Sequence, residues 1–304
     1  MSKKLTLGER FRLEFADKRL GWDELYDLIE EWLIKHKIEH TIKHFGHEQE
    51  TFSSNFWGQG QGVYIDLNQS VKSDLCLIGK GIAFDTGGWN MKGSQHMAQM
   101  HFDKSGAILA LAYGIDHKLP VKTFFTDNVL RVYPDAIVEE PITGTKVLIG
   151  NTDAEGRIGL ADLLAQTVKE GKYSKVITMA TLTGAAVVAS GERTFALVHG
   201  LTAEGVYSLA KAYDKGVQLW AMPAHKKYDE LIETKVKGAD ITNNPGGIGG
   251  GGSQTAFAFL KHFAGGLELL HLDMAAMDTD KDGNALLSFG FKELDCLTKL
   301  IGGE

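Results

Sequence analysis

Cysteine is nearly missing from this 304-residue chain: only Cys76 and Cys296 occur, too few for a disulfide framework or a Cys-based zinc site. Proline is also scarce, at five residues, and no Pro- or Ser-rich linker divides the chain. Positive charge is in deficit, with 32 Lys plus Arg against 39 Asp plus Glu and a net of −7. Nothing therefore favours the counterion-release binding on which DNA-binding proteins depend, and nucleic acid is not an expected partner. The longest apolar run, near Ile108 to Ile115, falls far short of the ~20 residues a membrane span needs, and no basic-then-apolar segment opens the chain. A membrane partner is not expected, and a cytoplasmic location is. No repeat recurs at solenoid periods.

What is present is ordinary globular composition, 43% hydrophobic and 23% charged, with one oddity: 36 glycines, above the usual ~7%. Residues 22 to 36 carry Leu25, Leu28, Ile29, Trp32 and Leu33 at helical spacing, which predicts an amphipathic helix. Strand-like runs follow at 62–67, 74–79, 122–127, 146–150, 175–180 and 267–273. Helical segments fall between or after them at 103–118, 156–170, 203–216, 254–263 and 289–300. This alternation predicts an α/β fold, a single domain with a central mostly parallel sheet covered by helices on both faces. Residues 245–253, PGGIGGGGS, contain six glycines and read as a mobile loop.

Polar residues gather where the strands end. GKGIAFDTGGWNMKG, residues 79–93, begins at a strand end and contains Lys80, Asp85 and Lys92, with Gly79, Gly81, Gly87 and Gly88 permitting close backbone approach. In an open α/β sheet such groups project into the crevice beyond the carboxyl ends of the strands. Neither G-x-x-x-x-G-K-[ST] nor G-x-G-x-x-G is matched, so a phosphate loop drops out. NTDAEGR, residues 151–157, sets Asp153, Glu155 and Arg157 at alternate positions, which would share one face of an extended segment. Alone, this reads rather as a solvated acidic turn with a helix-capping Asp, and Asp103 alone as a simple N-cap. Together, Asp85, Asp103, Asp153 and Glu155 would suit two divalent metals sharing bridging oxygens, roughly 3.5–4 Å apart, with a neutral Lys amine joining once a dication displaces its proton.

At this point the chain resembles the leucyl aminopeptidases, a family of dinuclear-metal exopeptidases. NTDAEGR stands intact, and Lys80, Asp85, Lys92 and Asp103 precede it in the family's order and spacing. The likeness continues through ATLTGA at 180–185, ADITN at 239–243, AFLKHF at 258–263 and HLDMA at 271–275, roughly residues 70 to 300. It implies one catalytic domain over residues 1–304, with 1–70 weakly matched and the separate N-terminal domain of many relatives absent. It further implies one metal on Asp85, Asp153 and Glu155 and another on Lys80, Asp103, Asp85 and Glu155, the ions being Zn or Mn. Lys92 would stabilise the oxyanion of the tetrahedral intermediate, and Arg157 would hold a bicarbonate-like anion that receives the water proton. The backbone around Leu182 and Gly184 would receive the peptide, and Met100, Thr181 and Ala275 would line the first side-chain pocket. The substrates would be peptides with a free N-terminus, and the assembly a homo-oligomer, by resemblance a hexamer. One departure is that Lys104 and Ser105 follow Asp103 where the family has small residues, placing an extra charge beside a ligand.

Asp278, Asp280, Asp282 and Gly283 spell the start of an EF-hand loop, but position twelve would be Phe289 rather than a bidentate Glu, so a solvated turn is the expectation. Counted on from Ala275, Asp278 also falls where relatives have an apolar residue at the far end of the first pocket, which would favour basic N-terminal residues. His36, His40, His44 and His47 pass from a helix into a strand and need not converge. Two rival functions stay open: another dinuclear-metal hydrolase acting on phosphate esters, and a non-catalytic binding protein.

Overall fold

The computed structural model describes residues 4–129, 131–246 and 250–302. Twelve strands occur among them: β1 (His40–His44), β2 (Val63–Leu67), β3 (Leu75–Gly79), β4 (Ile82–Asp85), β5 (Val121–Asn128), β6 (Ile137–Glu139), β7 (Lys146–Leu148), β8 (Lys175–Ala180), β9 (Ala196–His199), β10 (Leu219–Ala221), β11 (Ile241–Thr242) and β12 (Glu268–Asp273). The main sheet runs β1-β2-β5-β3-β8-β12-β9-β10, with β4 paired to β5. Its centre, β5-β3-β8-β12, is parallel, while β1, β2 and β9 join antiparallel. The mostly parallel sheet expected from the alternation is present. A second, three-stranded sheet, β11-β7-β6, contains the expected strand at 146–150 as β7, but its partners β6 and β11, of three and two residues, carry too little period to read.

Side chains alternate across the main sheet as a pleated strand requires. Leu77, Ile177, Met179 and Leu270 face one apolar core with the helices Leu7–Phe15, Trp22–Lys35, Ser105–His117 and Phe291–Gly302. Cys76, Ile78, Val176 and Leu269 face the other core with Phe52–Phe56, Gly156–Glu170 and Gly252–Phe263. Helices therefore cover both faces, and the parallel strands are buried runs. The helix Leu7–Phe15 starts with a capping box, Thr6 on the Glu9 N–H and Glu9 on the Thr6 N–H, for which T-x-x-E is the sequence signature. No helix of the described residues is long and apolar enough to cross a membrane. Of the glycine run at 245–253, residues 247–249 lie outside the described residues, and Gly252 and Ser253 already belong to a helix.

All four central parallel strands end on one edge, and Lys80, Thr181 and Asp273 sit at or just past the ends of β3, β8 and β12. Two glycines bring the chain segments there into contact. A Cβ on Gly79 would lie 2.6 Å from the Ala107 Cα, and one on Gly156 would lie 2.5 Å from the Lys80 Cε. The Ala107 N–H donates to the Lys80 carbonyl at 2.7 Å, so the start of the helix Ser105–His117 docks against the end of β3 and carries Asp103 with it.

Candidate metal centre

Lys80 is the buried hub. Its ammonium lies 2.7 and 2.8 Å from the two Asp103 oxygens, 2.9 Å from Glu155 Oε1 and 3.1 Å from the Thr181 carbonyl. Burial opposes its charge, yet Asp103, Glu155 and Asp85 outweigh that and hold its pKa above the usual lysine value. Lys92 is the outer counterpart: it reaches Asp85 Oδ2 at 2.8 Å and also pairs with Asp153. Asp85, at the end of β4, is fixed by the Asn128 side chain (2.7 Å) and the Gly87 N–H (2.8 Å). It is buried, but Lys80 and Lys92 keep its pKa below the ordinary value. The other three carboxyls go the opposite way. Burial, with the neighbouring carboxylates, raises Asp103 and Glu155, and Asp153 is pushed up to about 7. Four carboxylates against two ammonium groups leave surplus negative charge in a site with little water to disperse it.

Oxygens of Asp85, Asp153 and Glu155 lie within 4.8 Å of one another, the only such group of His, Cys, Asp or Glu found among the described residues. Glu155 Oε2 is buried and has no hydrogen-bond partner. An unpartnered carboxylate oxygen inside an acidic cluster costs free energy unless a cation meets it, and an all-oxygen set with one amine suits a hard or borderline divalent ion. Asp85, Asp153 and Glu155 therefore fit a divalent ion.

The structure corrects three local readings. NTDAEGR is not extended: the Asp153 N–H donates to Asn151 Oδ1 (2.7 Å), residues 152–153 form a turn, and Gly156 starts a helix. Asp153 and Glu155 meet because the chain curls, and Arg157, on the helix that follows, donates from Nη1 to the Asn243 carbonyl at 2.6 Å. Asp103 is not an N-cap: it follows the 3-10 turn Met100–Phe102, Lys104 holds the cap position, and the Asp103 carboxylate is taken by Lys80 and by Thr181 Oγ1 (2.7 Å). Lys104, the extra charge after it, turns away from the cluster, with its ammonium on the carbonyls of Lys18 (2.7 Å) and His101.

Asp273 was missed as an organising residue, although HLDMA was recognised. It is fully buried. Oδ1 accepts from the N–H groups of Leu182 (3.2 Å), Thr183 (3.3 Å) and Ala275 (3.4 Å). Oδ2 accepts from the hydroxyls of Thr183 (2.6 Å) and Ser253 (2.9 Å). It joins the segments expected to form the substrate cradle, and it leaves Leu182 only its carbonyl to offer a peptide. Gly184 borders open space, and Met100 opens the turn that delivers Asp103. Asn243, within ADITN, is likewise an organising residue that its sequence context does not reveal. Its Oδ1 accepts from Gly150 (2.8 Å) and Asn151 (3.3 Å), and its Nδ2 donates to the Asn151 (2.7 Å) and Ala154 (3.2 Å) carbonyls, clamping the acidic turn. The signal available in both cases was a polar residue ending an otherwise buried strand.

Elsewhere, His36 stacks on Trp32, His40 bonds to the Ile38 carbonyl and His44 packs edge-on to Trp22 and Tyr26, so these histidines do not converge. Asp280 Oδ1 accepts from Asp282 and Asn284 in an exposed turn. Asp278 stands apart from them, burial raising its pKa to about 6.

A model of the cytosol aminopeptidase family, catalytic domain, matches residues 63–291. A probable cytosol aminopeptidase of Chlorobium phaeobacteroides is 38% identical over 221 residues, 67% of this chain and 42% of its own length. One of Aquifex aeolicus is 37% identical over 228 residues, 69% of this chain and 44% of its own. The cytosol aminopeptidase of Rickettsia prowazekii is 33% identical over 275 residues, 83% and 53% respectively. The chain spans about half the length of the curated relatives it matches. Its strand-end cluster of carboxylates and lysines falls wholly inside the matched residues, and the chain belongs to the cytosol aminopeptidase family.

Proposed function

We propose that this protein is a metal-dependent aminopeptidase that removes N-terminal amino acids from peptides. The observation that carries the reading is the buried excess of carboxylate over ammonium at the strand ends, with Glu155 Oε2 left unpartnered. Asp85, Asp153 and Glu155 would hold one divalent ion, and Lys80 and Asp103, with Asp85 and Glu155, a second. Zn and Mn both suit this donor set. Bound there, such ions supply Lewis acidity and a water acidic enough to ionise near neutral pH.

The chain's own residues do the rest. Lys92, the more accessible of the two lysines, carries a positive charge to the mouth of the site and would stabilise the oxyanion that forms on the scissile carbonyl. Arg157 is buried, anchored by Asn243, and keeps Nε without a partner; that free donor suits a bicarbonate-like anion able to take a proton. Thr181 positions Asp103. The cradle tied together by Asp273 would seat the peptide, with Met100, Thr181 and Ala275 at the first side chain and the Leu182 carbonyl and Gly184 along the backbone. A homo-oligomer, by resemblance a hexamer, and a cytoplasmic location belong to the same reading.

The test is a panel of aminoacyl amides and N-acetylated controls run on metal-stripped protein and on protein restored with Zn²⁺, Mn²⁺ or Co²⁺. Chelation should abolish hydrolysis, one or more metals should restore it, and acetylated substrates should resist. Undiminished turnover by verified metal-free protein would overturn the mechanism. Light scattering on the same preparation should exceed the 33.2 kDa of one chain.

A further inference from the structure

Of the five donors on the Asp273 carboxylate, four come from residues 182, 183 and 275, in the segments that run on from β8 and β12 into the cradle. The fifth comes from elsewhere. It is the hydroxyl of Ser253, 2.9 Å from Oδ2 and in the first turn of the helix Gly252–Phe263. Gly251 enters that helix at φ +72°, a left-handed conformation that suits glycine. Gly252 then brings the turn against the cradle, where an added Cβ would lie 3.1 Å from the Ala185 Cβ in the helix Gly184–Ser190. One helical turn thus touches the cradle twice, through Gly252 and through Ser253.

Ser253 is itself held from behind. His199, the last residue of β9, sets Nε2 2.7 Å from the Ser253 Oγ, and its ring stacks at 5.3 Å on Phe257, one turn further along the same helix. Ser253, His199 and Asp273 are all buried. A carboxylate only accepts, so the Ser253 proton goes to Asp273, and Oγ accepts from the His199 Nε2–H. Nδ1 is then the bare ring nitrogen, and it has no partner. Burial, with His271 alongside, pushes the His199 pKa down to about 3, so the ring is neutral near neutral pH. In a nucleophilic triad the imidazole stands between hydroxyl and carboxylate and takes the hydroxyl proton. Here the hydroxyl stands between the other two and has already committed its proton to the carboxylate. The chain of contacts is a strut rather than a nucleophile.

We propose that Ser253 is a positioning residue for the peptide cradle: supported by His199, it sets the Asp273 carboxylate that fixes the Leu182 and Thr183 amides, and so ties the first turn of the helix Gly252–Phe263 to peptide binding. The substrate class rests on the aminopeptidase reading. Ser253→Ala removes the strut and leaves Asp273 with four donors. KM for Leu-Ala-Ala should then rise roughly tenfold, the worth of one hydrogen bond to a charged group, while kcat and metal content hold. Leu-amide, which ends where the rest of a peptide would enter the cradle, should change little. His199→Leu should raise the Leu-Ala-Ala KM in the same direction but by less, and His199→Gln, whose amide N–H can replace Nε2–H, should restore it. Hydrogen–deuterium exchange at residues 182–186 should quicken in Ser253→Ala and His199→Leu, and exchange in β2 and β5 should not.

An unchanged Leu-Ala-Ala KM in both variants, a fall in kcat with KM kept, or an equal loss on Leu-Ala-Ala and Leu-amide overturns the proposal, the last being what a merely structural strut would give. If Ser253→Ala does not fold, His199→Leu and His199→Gln carry the same comparison. Exchange and binding need no turnover and separate the two readings. If no peptide is hydrolysed, yet Ser253→Ala quickens exchange at 182–186 and weakens binding of Leu-Ala-Ala, the positioning stands and the aminopeptidase reading fails. If peptides are hydrolysed and the variants alter neither KM nor exchange, the positioning alone fails.

Discussion

Both ends of β5 face a buried lysine held between carboxylates, and only one of the two clusters suits a metal. At the opening end, Lys122 lies 3.3 Å from Asp66, its cross-strand partner on β2, and 2.7 Å from Glu170. At the closing end, Asn128 holds Asp85 in the cluster built around Lys80 and Lys92. The side chains of both Lys80 and Lys122 are almost wholly buried, and both keep raised pKa values against the cost of burial. The difference is the balance. The Lys122 cluster carries one surplus carboxylate and only two carboxyl groups, and although Asp66 Oδ1 is buried without a partner, as Glu155 Oε2 is, no third ligand group converges there among the described residues. The strand-end cluster carries two, and Asp85, Asp103 and Glu155 are all buried. A buried lysine between carboxylates is thus a structural brace when few carboxylates meet it, and a cation site when more converge in excess.

The largest effect should come from reducing that surplus. Glu155→Gln keeps the shape and removes one charge, so metal content should fall and kcat/KM should drop by roughly 10³ or more, given several kcal/mol of Lewis-acid stabilisation. Full metal content and full rate, by elemental analysis and steady-state kinetics, would break the comparison.

Next comes the division between the two lysines. Lys92→Ala should retain both ions and lose roughly 10²–10³ in kcat, the usual loss for one oxyanion-stabilising group, whereas Lys80→Ala should lose metal. Identical metal content and rate in the two variants would show that inner and outer lysines are not distinct.

The brace should respond the other way round. Lys122→Met strands Asp66 without its cation and should destabilise the fold by about 3 kcal/mol in a denaturant titration, since breaking a buried pair exposes an uncompensated charge. The kcat of the folded fraction should be unchanged; a loss of rate would mean that the two ends of β5 are coupled.

Smallest is Asp273→Asn. This carboxylate is balanced by five hydrogen-bond donors rather than by a lysine, and Asn removes its charge while keeping one acceptor. Metal content and kcat should hold while KM for peptides rises by roughly tenfold, the worth of a hydrogen bond to a charged group. A matching fall in kcat would move Asp273 from positioning the cradle to the reaction itself.

Much of this site was legible beforehand because its residues announce themselves by type. Acidic residues and lysines beside glycines at strand ends have few structural uses in an apolar setting, and NTDAEGR is specific enough to bring the family resemblance. Helix 156–170 and strand 175–180 appear where the sequence put them, since long apolar periods tolerate little ambiguity. Residues acting through others were not legible. Asn128, Asn243 and Asp273 look like any polar residue ending a strand until partners as far as 43, 93 and 91 positions away are in place.

The sequence by itself determined the α/β order, the two-faced burial of the central strands and the residue types of the charged cluster, because periodicity and composition are local properties of the chain. Only the tertiary structure decided which carboxylate meets which lysine, that Lys104 turns from the cluster to the Lys18 carbonyl, and that residues 19–21 wall a cavity beside Lys92. Those contacts join segments far apart in the chain, and their charges are felt only once burial has removed the water between them.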